Sequence, residues 1–100
     1  MTRDPWGRIA AMFALLFYDY VTDIAERRTA FRPAHLSLAE EALAKGELRM
    51  AGAYADPLDG AVFVFRDREA AERFVERDPY MLNGLVTRQW IRDWNVVIGP

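Results

Sequence analysis

Apolar residues fill both alternations of the stretch from Met12 to Val21: Phe13, Leu15 and Phe17 on one parity, Ala14, Leu16 and Tyr18 on the other. A short aromatic-rich run of this kind predicts a strand buried on both faces. A polar stretch, Thr22 to Thr29, leads to Pro33. From Pro33 to Lys45, Leu36, Leu38, Ala39, Ala42 and Leu43 recur at helical spacing, with Gly46 as the expected stop. Glu47 to Tyr54 predicts a second strand, Asp56 to Gly60 is turn chemistry, and Ala61 to Phe65 predicts a third strand, so the two form a hairpin. Asp67 can cap a helix from Arg68 to about Arg77 that turns Ala71, Phe74 and Val75 inward. Asp78-Pro79 breaks it, and Tyr80 to Gly84 predicts a short helical turn. Leu85 to Ile98 closes the chain as a long strand with Trp90 and Trp94 on one face.

Strand, helix, strand, strand, helix, strand is the α+β order of ferredoxin-like βαββαβ folds, a four-stranded antiparallel sheet with two helices on one face. Two helices cover only one side of such a sheet, yet the first and third strands are apolar on both parities. The uncovered side would show more apolar surface than the roughly few hundred Å² that monomers tolerate. Two-fold pairing of sheet faces removes it, so a homodimer is expected.

Length and charge narrow the classes. One hundred residues make one domain, and 52% hydrophobic content is generous for so short a chain, which again favours a covered face. A net charge of −2, with bases and acids alternating as in Arg66-Asp67-Arg68-Glu69, argues against nucleic acid. The absence of cysteine excludes disulfides and thiolate sites and fits the cytoplasm. Ile9 to Phe17 is too short to span a bilayer, which takes about 20 apolar residues. Residues 1–11 are expected to be a flexible leader and residues 12–100 the domain.

The chain resembles the YCII-related (YciI-like) proteins of the dimeric α+β barrel group. The runs that carry the resemblance are Arg32-Pro33-Ala34-His35-Leu36, Gly46-Glu47-Leu48 with Ala51-Gly52, Asp59-Gly60, Glu69-Ala70-Ala71, and Asp78-Pro79-Tyr80 with Gly84. They stand in order over nearly the whole chain from Met12 onward. The resemblance implies a ferredoxin-like protomer, a dimer, and an active site built on His35 and Asp78. Where activity is proposed in the family, it is acid–base elimination of the dehydrohalogenase kind on small cyclic or phenolic molecules, with no cofactor. One departure is Ala53, where the family commonly has proline after the Ala-Gly pair; it bears on the lip of the pocket.

Each candidate has a plainer account. His35, the only histidine, falls in the opening turn of a helix, where a surface imidazole is unremarkable; as a general base it would need an orienting carboxylate. Asp78 before Pro79 is an ordinary helix cap. The two roles coexist if one carboxylate oxygen accepts a backbone N–H and the other the His35 Nδ1–H. Arg32 is a candidate for an anionic substrate group or simply a solvated side chain. Tyr18 and Tyr80 can donate phenolic hydrogen bonds into a pocket, and Gly52 marks a bulge or a close backbone approach. One histidine and no cysteine make a metal site unlikely by chemistry. Two functions follow: a cofactor-independent, lyase-type enzyme using a His35–Asp78 dyad, or a non-catalytic module that holds a small ligand or supports a neighbouring enzyme.

Overall fold

The computed structural model describes residues 2–3 and 9–99, with side chains from Met12 to Gly99. A two-residue strand β1 (Thr2–Arg3) pairs antiparallel with the start of the long strand β2 (Ile9–Tyr20). Next come a short helix α1 (Ile24–Arg27), a 3-10 turn (Arg28–Ala30) and helix α2 (Arg32–Ala44). A hairpin of β3 (Leu48–Ala53) and β4 (Gly60–Phe65) leads to α3 (Arg68–Arg77), the single-turn helix α4 (Pro79–Leu82) and the last strand β5 (Val86–Val96). The strands of the main sheet lie in the order β3-β4-β2-β5, every pairing antiparallel. This is the ferredoxin-like α+β arrangement expected from the order of elements.

The central strand is two-sided. Ala14, Leu16, Tyr18 and Tyr20 point under the helices and are buried, while Phe13, Leu15 and Phe17 lie half-buried on the opposite, helix-free face. The core is aromatic: Phe63, Phe65 and Phe74 pack with ring centroids 5.2 to 6.1 Å apart, and Tyr18 meets Phe63 edge-on at 5.0 Å. Each fully buried side chain of this size contributes about 1.5–3 kcal/mol of transfer free energy. Two helix ends follow their sequence signals. Gly46, at φ 75°, closes α2 with its N–H on the Leu43 carbonyl and the Glu47 N–H on the Ala42 carbonyl. Asp67 caps α3 by accepting from the Ala70 N–H at 2.9 Å.

Three local features differ from the expected pattern. The polar stretch after β2 contains α1 and the 3-10 turn, because Ile24 within it is buried and anchors them to the core. Strand β2 begins at Ile9, inside the segment expected as a leader; residues 1 and 4–8 of that segment lie outside the described residues. Strand β3 is bulged: Leu48 opposes Phe65, but Met50 opposes Val64, which leaves Arg49 as the extra residue. The shift reverses the parity of β3 beyond the bulge, so that Ala51 and Ala53 sit opposite Phe63 and Ala61 under the helices. Met50 goes to the helix-free face. Small side chains therefore line the inner side of this edge strand, and Gly52 is not the bulge.

β2 and β5 continue together beyond β4. The pairs Ala11/Val96, Met12/Asn95 and Phe13/Trp94 extend the ribbon past the last β2–β4 pair, Ala14/Phe65, and the molecule measures 48 × 26 × 19 Å.

At Gly60 the backbone itself demands glycine. A Cβ there would lie 2.4 Å from the Tyr18 carbonyl oxygen and 2.8 Å from the Tyr54 ring. Gly60→Ala is expected to destabilise the protein by about 3 kcal/mol, because a backbone atom in a paired strand cannot retreat. Urea denaturation measures it, and an unchanged midpoint would refute the close packing of β2, β4 and Tyr54.

Candidate active site

Asp78 stands at the junction of two helices, ending α3 and starting α4. Pro79 behind it holds its backbone extended, at φ −67° and ψ 120°. Its carboxylate is wholly buried, so each oxygen needs a donor. Oδ2 accepts the Tyr18 hydroxyl at 2.7 Å. Oδ1 accepts the Tyr80 backbone N–H at 3.1 Å and lies 2.7 Å from Nδ1 of His35. Capping and the dyad thus share one oxygen, and the second is taken by a phenol rather than by the backbone. An ionised carboxylate can only accept, so Nδ1 of His35 carries the proton and Nε2 is left with the lone pair.

The imidazole is fixed on a second side by stacking. The Tyr80 ring lies parallel to it, at a centroid separation of 3.8 Å and an interplanar angle of 4°. Phe63 and Phe74 meet it edge-on, each at 6.1 Å. Its position on α2 follows from sequence: Arg32 is the first helical residue, Pro33 the second, and the His35 N–H makes an early helical bond to the Phe31 carbonyl at 3.0 Å. His35 is 7% exposed, and that exposure opens on a cavity of about 200 Å³ between α2 and the inner side of β3 and β4. Ala51, Ala53 and Ala61 form its floor, Phe63, Tyr20 and Tyr80 its aromatic wall, and Arg28 and Arg32 its rim. The geometry is that of an imidazole oriented by a buried carboxylate and bordering a cavity, an arrangement chemically able to accept a proton.

The YCII-related domain matches residues 12–95. The chain belongs to the YCII-related family. No curated protein matches it. Solved structures with a similar α+β fold include the 5-chloro-2-hydroxyhydroquinone dehydrochlorinase TftG from Burkholderia phenoliruptrix AC1100, in complex with 2,5-dihydroxybenzoquinone. It is 18% identical, with a TM-score of 0.70 over 82% of this chain and 92% of that one. A candidate antibiotic biosynthesis monooxygenase from Nitrosomonas europaea matches at 15% identity and a TM-score of 0.57, covering 89% of this chain and 93% of that one. A NIPSNAP-like domain protein from Burkholderia xenovorans matches at 16% and 0.56, covering 89% and 88%.

Within this YCII-related domain the residues singled out from sequence separate into two groups. His35, Arg32, Gly52 and Tyr80 border the cavity. Asp78 and Tyr18 lie behind it, fully buried and bonded to each other. Tyr18 therefore acts on the carboxylate, and its hydroxyl does not reach into the pocket as its type suggested. Arg28, Tyr20, Phe63 and the three alanines were not foreseen as cavity residues. Arg28 carried no local signal, because the 3-10 turn separates it from α2. Ala51 and Ala53 had none, since their facing depends on the β3 bulge, whereas Ala61 follows the alternation of β4. Among the described residues no cluster of three or more potential metal ligands occurs.

Burial, reinforced by the charge of Asp78, pushes the Tyr18 hydroxyl far above the ordinary tyrosine range. Burial likewise raises Tyr20 and Tyr80, partly opposed in both by the charges of Arg28 and Arg32. The folded state thus keeps protons that the unfolded chain releases near pH 10. Stability from this source is fully present below about pH 10 and is lost as pH rises towards the folded values, by about 1.4 kcal/mol per pH unit for each such tyrosine. Alkaline titration followed by tyrosinate absorbance and circular dichroism should show these phenols ionising only as the fold is lost. Tyr18→Phe should flatten the slope of stability against pH by about one tyrosine's share. Ionisation of all the tyrosines with the fold intact would contradict this.

Proposed function

We propose that this protein is a cofactor-independent, lyase-type enzyme that eliminates a leaving group, such as halide, from a small cyclic or phenolic substrate. The observation that carries the reading is the 2.7 Å contact between His35 Nδ1 and Asp78 Oδ1 at a residue that borders the cavity; with Nδ1 engaged, Nε2 is the nitrogen left to act on a substrate. In the reaction, the halogen is carried on a tetrahedral ring carbon, as in the keto tautomer of a halogenated hydroxyhydroquinone. Nε2 takes a proton from a conjugated O–H or an adjacent C–H of that tautomer. The electron pair left behind forms a new π bond conjugated with the ring, and the carbon–halogen bond breaks with its electrons leaving on halide. The net change is loss of HX, so no oxidant or reductant is consumed. Asp78 stabilises the imidazolium and holds the ring in the tautomer that leaves Nε2 basic. The likeness to TftG, a dehydrochlorinase solved with a dihydroxybenzoquinone, supports this chemical class. A cavity of 200 Å³ agrees with it in size, since a site of about 150 Å³ accommodates benzene.

The test is turnover of halogenated hydroxyhydroquinones, followed by halide release. His35→Asn should lower kcat by about 10²–10⁴-fold. Asp78→Asn should cost a comparable factor while leaving the fold nearly intact. Its amide oxygen can still accept from His35 and Tyr80, and the Tyr18 hydroxyl can turn to accept from the amide nitrogen. Undiminished halide release from His35→Asn would end the catalytic reading and leave a ligand-binding module in its place.

The helix-free face of the sheet supports assembly as a homodimer, and the lack of cysteine fits the cytoplasm as its proposed location. Phe17 stacks on Trp90 at 5.1 Å and 14°, with Leu15, Val62 and Val64 between the flanking strands. Trp94 and Met50 on the same face are 44% and 67% exposed. Among the described residues no helix is long and apolar enough to cross a membrane. Light scattering should give twice the 11.5 kDa chain mass for the native protein. Leu15→Glu, which puts a charge at the centre of the face, should reduce it to one chain. A native monomer would refute the assembly.

A further inference from the structure

We infer that the cavity selects a planar, single-ring oxyanion, held at its charged edge by Arg28 and Arg32. The inference deepens the elimination reading, and it rests on that reading only for placing the ring beside His35.

Charge pairing over the surface is the first support. Arg27 pairs with Asp23, Arg68 with Asp93, and Arg77 with Glu41. Arg49 and Arg88 instead lie over the rings of Phe13 and Trp90. Among the described residues, Arg28 and Arg32, like Arg92 on β5, have neither kind of partner, and of these three only Arg28 and Arg32 border the cavity. No acidic side chain lines that cavity; Asp78 is behind His35, with its oxygens already engaged.

The second support is the shape of the space. Arg28, Arg32 and Leu36 also line an adjoining, more open recess with Ala25, Thr29 and Pro33. The two guanidinium groups therefore stand where an inner slot meets an outer shelf. Although Arg28 lies in the 3-10 turn and Arg32 opens α2, both line the same two spaces. Their field is felt inside the slot, where both counteract the rise in the Tyr20 and Tyr80 hydroxyls. At about 200 Å³ the inner cavity has the volume for a single-ring molecule, and the rings of Tyr20, Phe63 and Tyr80 line it together with alanines. Planar oxyanions, whether a ring-borne enolate or phenolate or an exocyclic carboxylate, match the fork of an arginine in a way that neutral rings do not. Such a charge also suits elimination, because an electron-rich oxyanion helps to expel halide.

Binding measured by calorimetry at neutral pH tests this without turnover. The probes are two matched pairs: 2,5-dihydroxybenzoquinone against 2,5-dimethoxybenzoquinone, and 2,5-dihydroxybenzoate against its methyl ester. The anionic member should bind about tenfold or more tightly in at least one pair, and the responding pair tells a ring-borne charge from a carboxylate. Arg28→Met and Arg32→Met should each weaken the anion by about tenfold, as expected for a charge-assisted hydrogen bond, and leave the neutral analogue unchanged. Arg66→Met, the same charge change at an exposed position outside the cavity, should alter neither. Equal affinity within both pairs, no binding at all, or anion binding indifferent to Arg28 and Arg32 would overturn the inference. His35→Asn separates it from the catalytic reading. Charge-selective binding that survives in this variant upholds the arginine site even if halide release never depended on His35. Turnover without charge selectivity upholds the dyad and removes the arginine site.

Discussion

A carboxylate with no access to water is the constraint around which this domain is arranged. Taking Asp78 out of solvent costs several kcal/mol unless its oxygens are fully engaged. The donors come from the phenol of β2, the imidazole of α2 and the first turn of α4. Two of these partners are 60 and 43 residues away along the chain, so the group can be satisfied only when sheet and helices have docked in one register. A slip of one residue in β2 would send Tyr18 to the opposite face and leave the charge uncompensated. The same set of bonds that makes Asp78 tolerable therefore also fixes the topology.

That economy explains why capping and the proposed acid–base chemistry need not compete. A helix N-terminus wants an acceptor, and a histidine intended as a base wants a carboxylate at Nδ1. Oδ1 answers both because the Tyr80 N–H and the imidazole approach it together. Tyr80 adds a second restraint by lying flat against the imidazole, and Tyr18 prevents the carboxylate from turning. Three directions of motion are thereby closed to His35 and Asp78 before any ligand arrives, which is the preorganisation that a proton-transfer site requires.

How much of this could be read from the chain depends on the range of the interaction involved. Helix α3 runs from Arg68 to Arg77 as its pattern predicts, because the Asp67 cap and the proline after Asp78 are local signals. Gly46 is legible for the same reason. The His35–Asp78 pairing came from resemblance rather than from spacing, since no local rule joins residues 43 apart. The cavity floor was not legible at all. Counted from Leu48, alternation puts Met50 under the helices; the bulge at Arg49 reverses it and brings in Ala51 and Ala53. A single extra residue, set by how β3 meets β4, thus decides whether the slot is filled or open. Tyr18 shows the opposite limit: its burial was evident from the pattern, but its partner was hidden by distance.

Strand β2 carries both halves of the protein's character. Its even-numbered residues end at the site, with Tyr18 on Asp78 and Tyr20 at the cavity wall; its odd-numbered residues, Phe13, Leu15 and Phe17, form the middle of the helix-free face. Neighbouring residues of one strand cannot shift independently, since each backbone position is tied to β4 on one side and β5 on the other. In the proposed dimer, covering the odd face restrains the same backbone that aims the Tyr18 hydroxyl. Such assembly would do more than hide apolar surface: it would stiffen the support of the buried carboxylate, and its loss would be felt at His35 even though no residue of the site lies on the helix-free face.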